Sequence, residues 1–187
     1  VISFGGGLFG TVNPSTGVLT GGDVQTYWTS LGIATANQPK VVIIPINGAT
    51  NNPLQSDGST VENTIDVSMV GACCPSANLT INLYIGPNSF SEFNNIMSRV
   101  IADRPSIISV SWGAAEVYYT LDQLTSLNEL FQTASALGIN ICTATGDNGS
   151  NDGVGGFKAY VDFPSSSPYV IACGGTNLKC PSGTYDA

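Results

Sequence analysis

Short apolar runs rich in β-branched residues alternate along the chain with longer segments in which apolar residues recur every three or four positions. The runs VVIIPI (41–46), LTINLYI (79–85), IISVSW (107–112), INICTAT (139–145) and YVIAC (169–173) are apolar almost throughout, which predicts strands buried on both faces. Helical periodicity fills residues 24–31, 60–72, 89–103 and 121–137, the last closed by Gly138 as a C-cap. Such an alternation predicts the α/β class: a doubly wound, mainly parallel sheet with a helix layer on each face. Functional groups in these sheets collect beyond the carboxyl ends of the strands. The loops after Ile46, Ile85, Trp112 and Thr145 are therefore where a site is expected.

The segment 60–72 contains a conflict. Val61, Ile65, Met69 and Ala72 recur at helical spacing as an apolar stripe expected to face the core, yet Glu62 and Asp66 stand four apart beside it. Like charges at that spacing cost about 0.2–0.5 kcal/mol on an exposed helix. Burial raises the cost and pushes one carboxyl to keep its proton. Taken alone, such a pair is more often a solvated helix face than a catalytic site.

Composition narrows the chemistry. The 187 residues are 42% hydrophobic and 10% charged, enough for one sizeable core, so a single domain is expected. Five basic against thirteen acidic residues give a net charge of −8, the wrong sign for gripping a phosphate backbone, which argues against a nucleic-acid partner. No apolar run approaches the roughly 18 residues of a membrane span, so no membrane partner is expected. The chain has no histidine, which removes Ser-His-Asp and Cys-His catalysis and histidine-ligated metals; acid–base work must fall to carboxylates. The acidic balance also fits work at low pH, where protonated carboxyls no longer repel.

The five cysteines, Cys73, Cys74, Cys142, Cys173 and Cys180, lack zinc-ribbon or redox spacing. Cys142 and Cys173 read as small buried thiols in strands. Cys180 and one of the adjacent pair are candidates for disulfides, with connectivity open. NLT at Asn78 and NGS at Asn148 match the glycosylation pattern of exported proteins. Val1 lies in an apolar run without a leader, and CPSGTYDA ends the chain just after a strand with no closing helix. More of the fold is expected to lie on a second polypeptide or to have been removed.

Four loop motifs compete for attention. GGGLFG (5–10) matches a dinucleotide fingerprint, but TVNPSTGVLTGG follows it with turn-formers instead of the helix that must hold a pyrophosphate. NGSNDG from Asn148 opens like a calcium loop and then fails, since its twelfth position is Ala159. SWG (111–113) and TGDNG (145–149) lie just past strands, where Gly113, Gly146 and Gly149 let a ligand backbone approach and Asp147 adds a third acid to the same sheet edge.

Taken in order, FGGG (4–7), ENTID (62–66), SVSWG (109–113), ALGINICTATGDNGS (136–150) and VDFPSSSPYVIACGGTNL (161–178) make the chain resemble the sedolisin family of serine-carboxyl peptidases across nearly its whole length. The resemblance implies a subtilisin-like three-layer fold, incomplete here, with residues 1–187 as the N-terminal portion of one peptidase domain. It implies Glu62 as general base to a nucleophilic serine, Asp66 as the acid that orients it and shares its proton, and Asp147 as oxyanion-hole donor. Ser111, Trp112 and Gly113 on one strand, and Ala144, Thr145 and Gly146 on another, would flank a bound peptide. A carboxylate does histidine's work only where pH approaches its own pKa, so activity is expected in acid.

The family's nucleophile sits in Gly-Thr-Ser downstream of GGT (174–176), and no such tripeptide occurs here. The resemblance therefore implies a second chain of the same precursor carrying the serine, similar to the slime-mould physarolisins, and calcium ligands outside this chain. It also implies an extracellular or acidic, lysosome-like compartment. Two alternatives stay open: an inactive sedolisin-like binding module or fragment, and a retaining glycosidase, which needs two carboxyls about 5–5.5 Å apart.

Overall fold

A computed structural model describes residues 1–177. The chain enters in β1 (Ile2–Phe4), turns through three glycines, and forms a hairpin of β2 (Thr11–Val12) and β3 (Leu19–Thr20). Then follow α1 (Asp23–Ser30), β4 (Lys40–Pro45), α2 (Ser59–Cys73), β5 (Thr80–Gly86), α3 (Phe90–Ala102) and β6 (Ile107–Val110). A short β7 (Ala114–Ala115), α4 (Leu121–Ala136), β8 (Asn140–Ala144), β9 (Asp162–Phe163) and β10 (Ile171–Cys173) complete the order, with β7 and β9 pairing antiparallel.

The six long-range partners form one parallel sheet in the order β10-β8-β6-β1-β5-β4. The expected fold class is the one observed, and the helices fall within two residues of their predicted bounds. The central strand β1 is absent from the predicted set, because three residues followed by Gly-Gly-Gly are too short to carry a pattern. The β2–β3 hairpin hides in the segment that reads as turns. Helices α1 and α2 cover one face, packing Trp28, Val67, Leu83 and Ile85. Helices α3 and α4 cover the other over Phe93, Ile96, Leu127 and Phe131. The chain leaves β1 toward the α1–α2 face and leaves β5 and β6 toward the α3–α4 face. A crevice therefore opens above the carboxyl end of β1.

One expectation is overturned. The α2 stripe predicted to face the core points outward: Val61, Ile65 and Met69 are 63%, 52% and 48% exposed. The face that α2 buries is small and polar, made of Ser59, Asn63, Val67, Ser68 and Gly71. The cause is close packing. The Trp28 indole lies against Gly71, where a methyl would sit 2.1 Å from its ring, and its Nε1 donates to the Ser68 carbonyl at 2.8 Å. Asn63 Nδ2 donates to the Gly5 carbonyl at 3.1 Å, seating the helix on the glycine turn after β1.

Cys173 is also exposed, contrary to its reading as a buried thiol, while Cys142 is half-buried. The disulfide expectation for Cys180 falls outside the described residues. On the α2 side of the sheet, the half formed by β6, β8 and β10 has no helix over it among the described residues: Ile107 and Ile171 are 62% and 53% exposed. Parallel sheets are normally covered on both faces.

Candidate functional site

The first turn of α2 is fixed from outside. Asp57 accepts from the Ser59 amide at 3.1 Å and from the Ser59 hydroxyl, bonds that hold its carboxyl below the usual range. Gln55 Oε1 takes the Gly6 amide at 3.0 Å. Helix, loop and glycine turn are thereby tied together at the crevice, and Glu62 and Asp66 project from α2 between its buried face and its outward apolar stripe.

Ser111, one residue past β6, donates its hydroxyl to Asp66 Oδ1 at 2.7 Å. The other carboxyl oxygen, Oδ2, is buried with no donor facing it. Burial pushes the Asp66 pKa up to about 6. The Ser111 bond opposes the rise; Glu62 adds to it through repulsion and as a hydrogen-bond partner, and the Val1 ammonium works the other way. A proton on Asp66 Oδ2 shared with Glu62 satisfies the orphaned oxygen and removes the repulsion at once. Asp66 can thus keep its proton beside Glu62. The structure gives the Ser111 side chain a contact that its reading as a substrate-flanking strand residue did not foresee.

Gly113 and Gly146, at the ends of neighbouring β6 and β8, approach a second carboxyl pair. A methyl on Gly113 would lie 2.6 Å from Asp162 Oδ1, and one on Gly146 would lie 2.7 Å from Asp152 Oδ1 and 3.5 Å from Asp162 Oδ2. Only glycine fits at either position. Asp152 and Asp162 are 9% and 7% exposed, and Asp152 Oδ2 is buried without a partner. Burial, then the nearby Asp152 charge, raises the Asp162 pKa to about 6 against a hydrogen bond from Ser165. Burial and the same two acids push the Tyr119 phenol up to about 12. The sequence reading did not single out this pair. The available signal was two acids within an otherwise charge-poor stretch, one of them directly before the apolar Phe163.

The remaining expected positions are less gathered. Asp147 stands exposed on the loop after β8 and has no hydrogen bond or ion pair to Glu62 or Asp66 among the described residues. Thr145 ties β8 to β10 through its Oγ1, which donates to the Cys173 carbonyl at 3.4 Å. Ala144 ends β8 opposite Cys173. Trp112 packs edge-on against Phe4, ring centroids 5.5 Å apart, and its Nε1 is buried without a partner. It is both core and cavity wall. No group of three or more acids, cysteines or histidines able to hold a metal is gathered among the described residues, and no helix there is long and apolar enough to cross a membrane.

Comparison with known proteins adds three likenesses. The chain is 37% identical over 164 residues to kumamolisin of Bacillus sp. (strain MN-32), covering 86% of this chain and 29% of that protein. It is 29% identical over 194 residues to sedolisin of Pseudomonas sp. (strain 101), covering 92% of this chain and 32% of that protein. The solved structure of Pseudomonas sedolisin, a serine-carboxyl proteinase complexed with two molecules of pseudo-iodotyrostatin, superimposes with a TM-score of 0.72 at 22% identity, covering 97% of this chain and 48% of the other. The chain thus spans about three-tenths of the length of these curated relatives. No protein-family model matches it.

Proposed function

The chain belongs to the sedolisin family of serine-carboxyl peptidases, and from that premise we propose that it is the carboxyl-bearing portion of an acid-active endopeptidase whose serine lies on another chain of the same precursor. The observation that carries this reading is the orphaned, buried Oδ2 of Asp66 beside Glu62. In the proposed cycle Glu62 accepts the proton of the incoming serine hydroxyl as the oxygen attacks the peptide carbonyl. Asp66 keeps the shared proton on the Glu62 side, and Ser111 holds Asp66 in position through Oδ1. Glu62 then returns the proton to the leaving amine, and water repeats the sequence on the acyl-enzyme.

Asp147 supplies the oxyanion-hole donor in its protonated form, which ties turnover to an acidic medium. The substrate lies between the 111–113 and 144–146 segments and is held by main-chain hydrogen bonds. The open β6-β8-β10 face beside α2 supports the partner chain, since a helix laid there would share a wall with Glu62 and Asp66. The family's calcium is assigned to that partner, and no step here uses it. The working compartment is proposed to be extracellular or an acidic vesicle.

Mass spectrometry of native material should find a co-purifying chain containing Gly-Thr-Ser. Glu62→Gln and Asp66→Asn should each abolish peptide cleavage between about pH 3 and 5 with an unchanged circular dichroism spectrum. Wild-type rates in either variant would falsify the assignment, and native material without a serine-bearing chain would favour an inactive binding module.

A further inference from the structure

Asn63 follows Glu62 directly, stands three residues before Asp66, and is fully buried. Its Nδ2 donates to the Gly5 carbonyl at 3.1 Å, and its Oδ1 is buried with no donor facing it. Only the N–H end of an amide can meet a carbonyl oxygen, so the side chain has one orientation there. The Gly5 carbonyl does not depend on this bond, because the Ser3 hydroxyl also donates to it, at 3.3 Å. An orphaned buried acceptor costs stability. Leucine, close to asparagine in shape, would forfeit the Gly5 bond and remove the orphan at once, which is nearly neutral for folding. Stability alone therefore gives no reason for an amide at this position.

Geometry gives one. Among the described residues, two side-chain hydrogen bonds tie α2 to the carboxyl edge of the sheet: Asn63 to Gly5, just past β1, and Ser111, just past β6, to Asp66. Strands β1 and β6 are neighbours, and residues three apart adjoin on a helix surface. The depth of the helix is set by close contact, since a methyl on Gly6 would lie 2.6 Å from both Ser59 Oγ and the Thr60 amide nitrogen. Its roll is not. The Asp66 bond alone would let α2 turn about that point, whereas a second bond at the neighbouring strand end fixes the roll and with it the direction in which Glu62 projects.

We propose that Asn63 is a positioning residue for the carboxyl pair: its bond to the Gly5 carbonyl sets the roll of α2 and so aims Glu62 at the hydroxyl it must deprotonate. The inference rests on the peptidase reading above. Asn63 is buried away from substrate and nucleophile, so it acts on the chemical step and not on substrate binding. Proton transfer of this kind is sensitive to placement, and a displacement of about 1 Å can cost on the order of 100-fold.

The test uses the complete enzyme, this chain together with the proposed serine-bearing chain, and two variants. Asn63→Leu should lower kcat by about 10- to 100-fold while KM and Tm stay unchanged. The alkaline limb of its pH profile should stay near about 6, because the Ser111 bond to Asp66 is untouched. Asn63→Asp should recover most of the lost kcat at about pH 3–4, where its carboxyl is protonated and donates to Gly5 as the amide does. Burial beside Glu62 and Asp66 keeps that proton in place. Wild-type kcat in a folded Asn63→Leu enzyme overturns the positioning role and leaves the peptidase standing. A loss matched by a fall in Tm and not recovered by Asn63→Asp overturns it as well, since Asn63 then serves folding alone. So does a raised KM at constant kcat, which would place the residue in substrate binding. Should Asn63→Leu fail to fold, Asn63→Asp decides in its place: kcat near wild type in acid supports the role, and a folded, inactive variant overturns it. No cleavage by the parent enzyme overturns the peptidase reading and this role together.

Discussion

Asp66 keeps its proton to about pH 6 because burial outweighs the one hydrogen bond that favours its charged form. The protonated acid is the state the proposed cycle uses, so kcat/KM should fall as pH rises through about 6 and Asp66 ionises. Ser111→Ala removes the bond that opposes the rise. The alkaline limb of the pH profile should then move to higher pH while turnover drops about tenfold as the acid loses its hold. A profile that stays in place under Ser111→Ala would show that this hydroxyl does not touch the acid in the working enzyme. ENTID and its four-residue spacing made Glu62 and Asp66 legible from the sequence. The Ser111 bond was not, since it joins residues 45 apart through strand geometry. Asp152 and Asp162 escaped because their one local sign, two acids in a charge-poor stretch, does not tell an acid under a glycine from one in solvent.

At the scale of elements, α2 is the instructive case. Its apolar positions suggested the buried face, and the opposite held because close approach to Trp28 demands a small residue that hydrophobic periodicity does not count. Gly71→Ala should therefore be costly although alanine is the better helix former. The added methyl must displace the indole from the Ser68 carbonyl, at about 2–4 kcal/mol from overpacking and the lost hydrogen bond. Thermal denaturation should show this as a lowered Tm. An unchanged or raised Tm would mean the helix slides freely over Trp28. The other elements were legible because buried parallel strands and capped amphipathic helices announce themselves locally. β1 was not, because its three residues acquire meaning only when β5 and β6 pair on either side.

For the whole molecule, two carboxyls with folded-state pKa values raised from 3.8 to about 6, Asp66 and Asp162, set the sign of the pH response. The folded chain binds more protons than the unfolded one between those values. The stability they contribute is complete below about pH 4 and is lost as pH rises through about 6. The loss should be on the order of 1–3 kcal/mol after allowance for solvent screening. Melting curves across that window should show a falling Tm, flattened in Asp66→Asn and Asp162→Asn; a Tm that climbs from pH 4 to 6 would contradict both shifts. Assembly with the proposed serine-bearing chain is the second response at this scale. Ile65→Arg and Ile171→Asp change residues already half exposed, so each should leave the melt within about 0.5 kcal/mol while abolishing co-purification of a serine-bearing chain.

The outer strand β10, with every residue exposed, has a practical corollary for anyone producing this polypeptide. Among the described residues it forms the rim of the sheet, and a rim carrying isoleucine next to a greasy platform is a template for sticking to its own kind. On the proposed two-chain reading, residues 1–187 expressed alone should collect in inclusion bodies, and expressed together with the proposed serine-bearing chain they should stay in the supernatant.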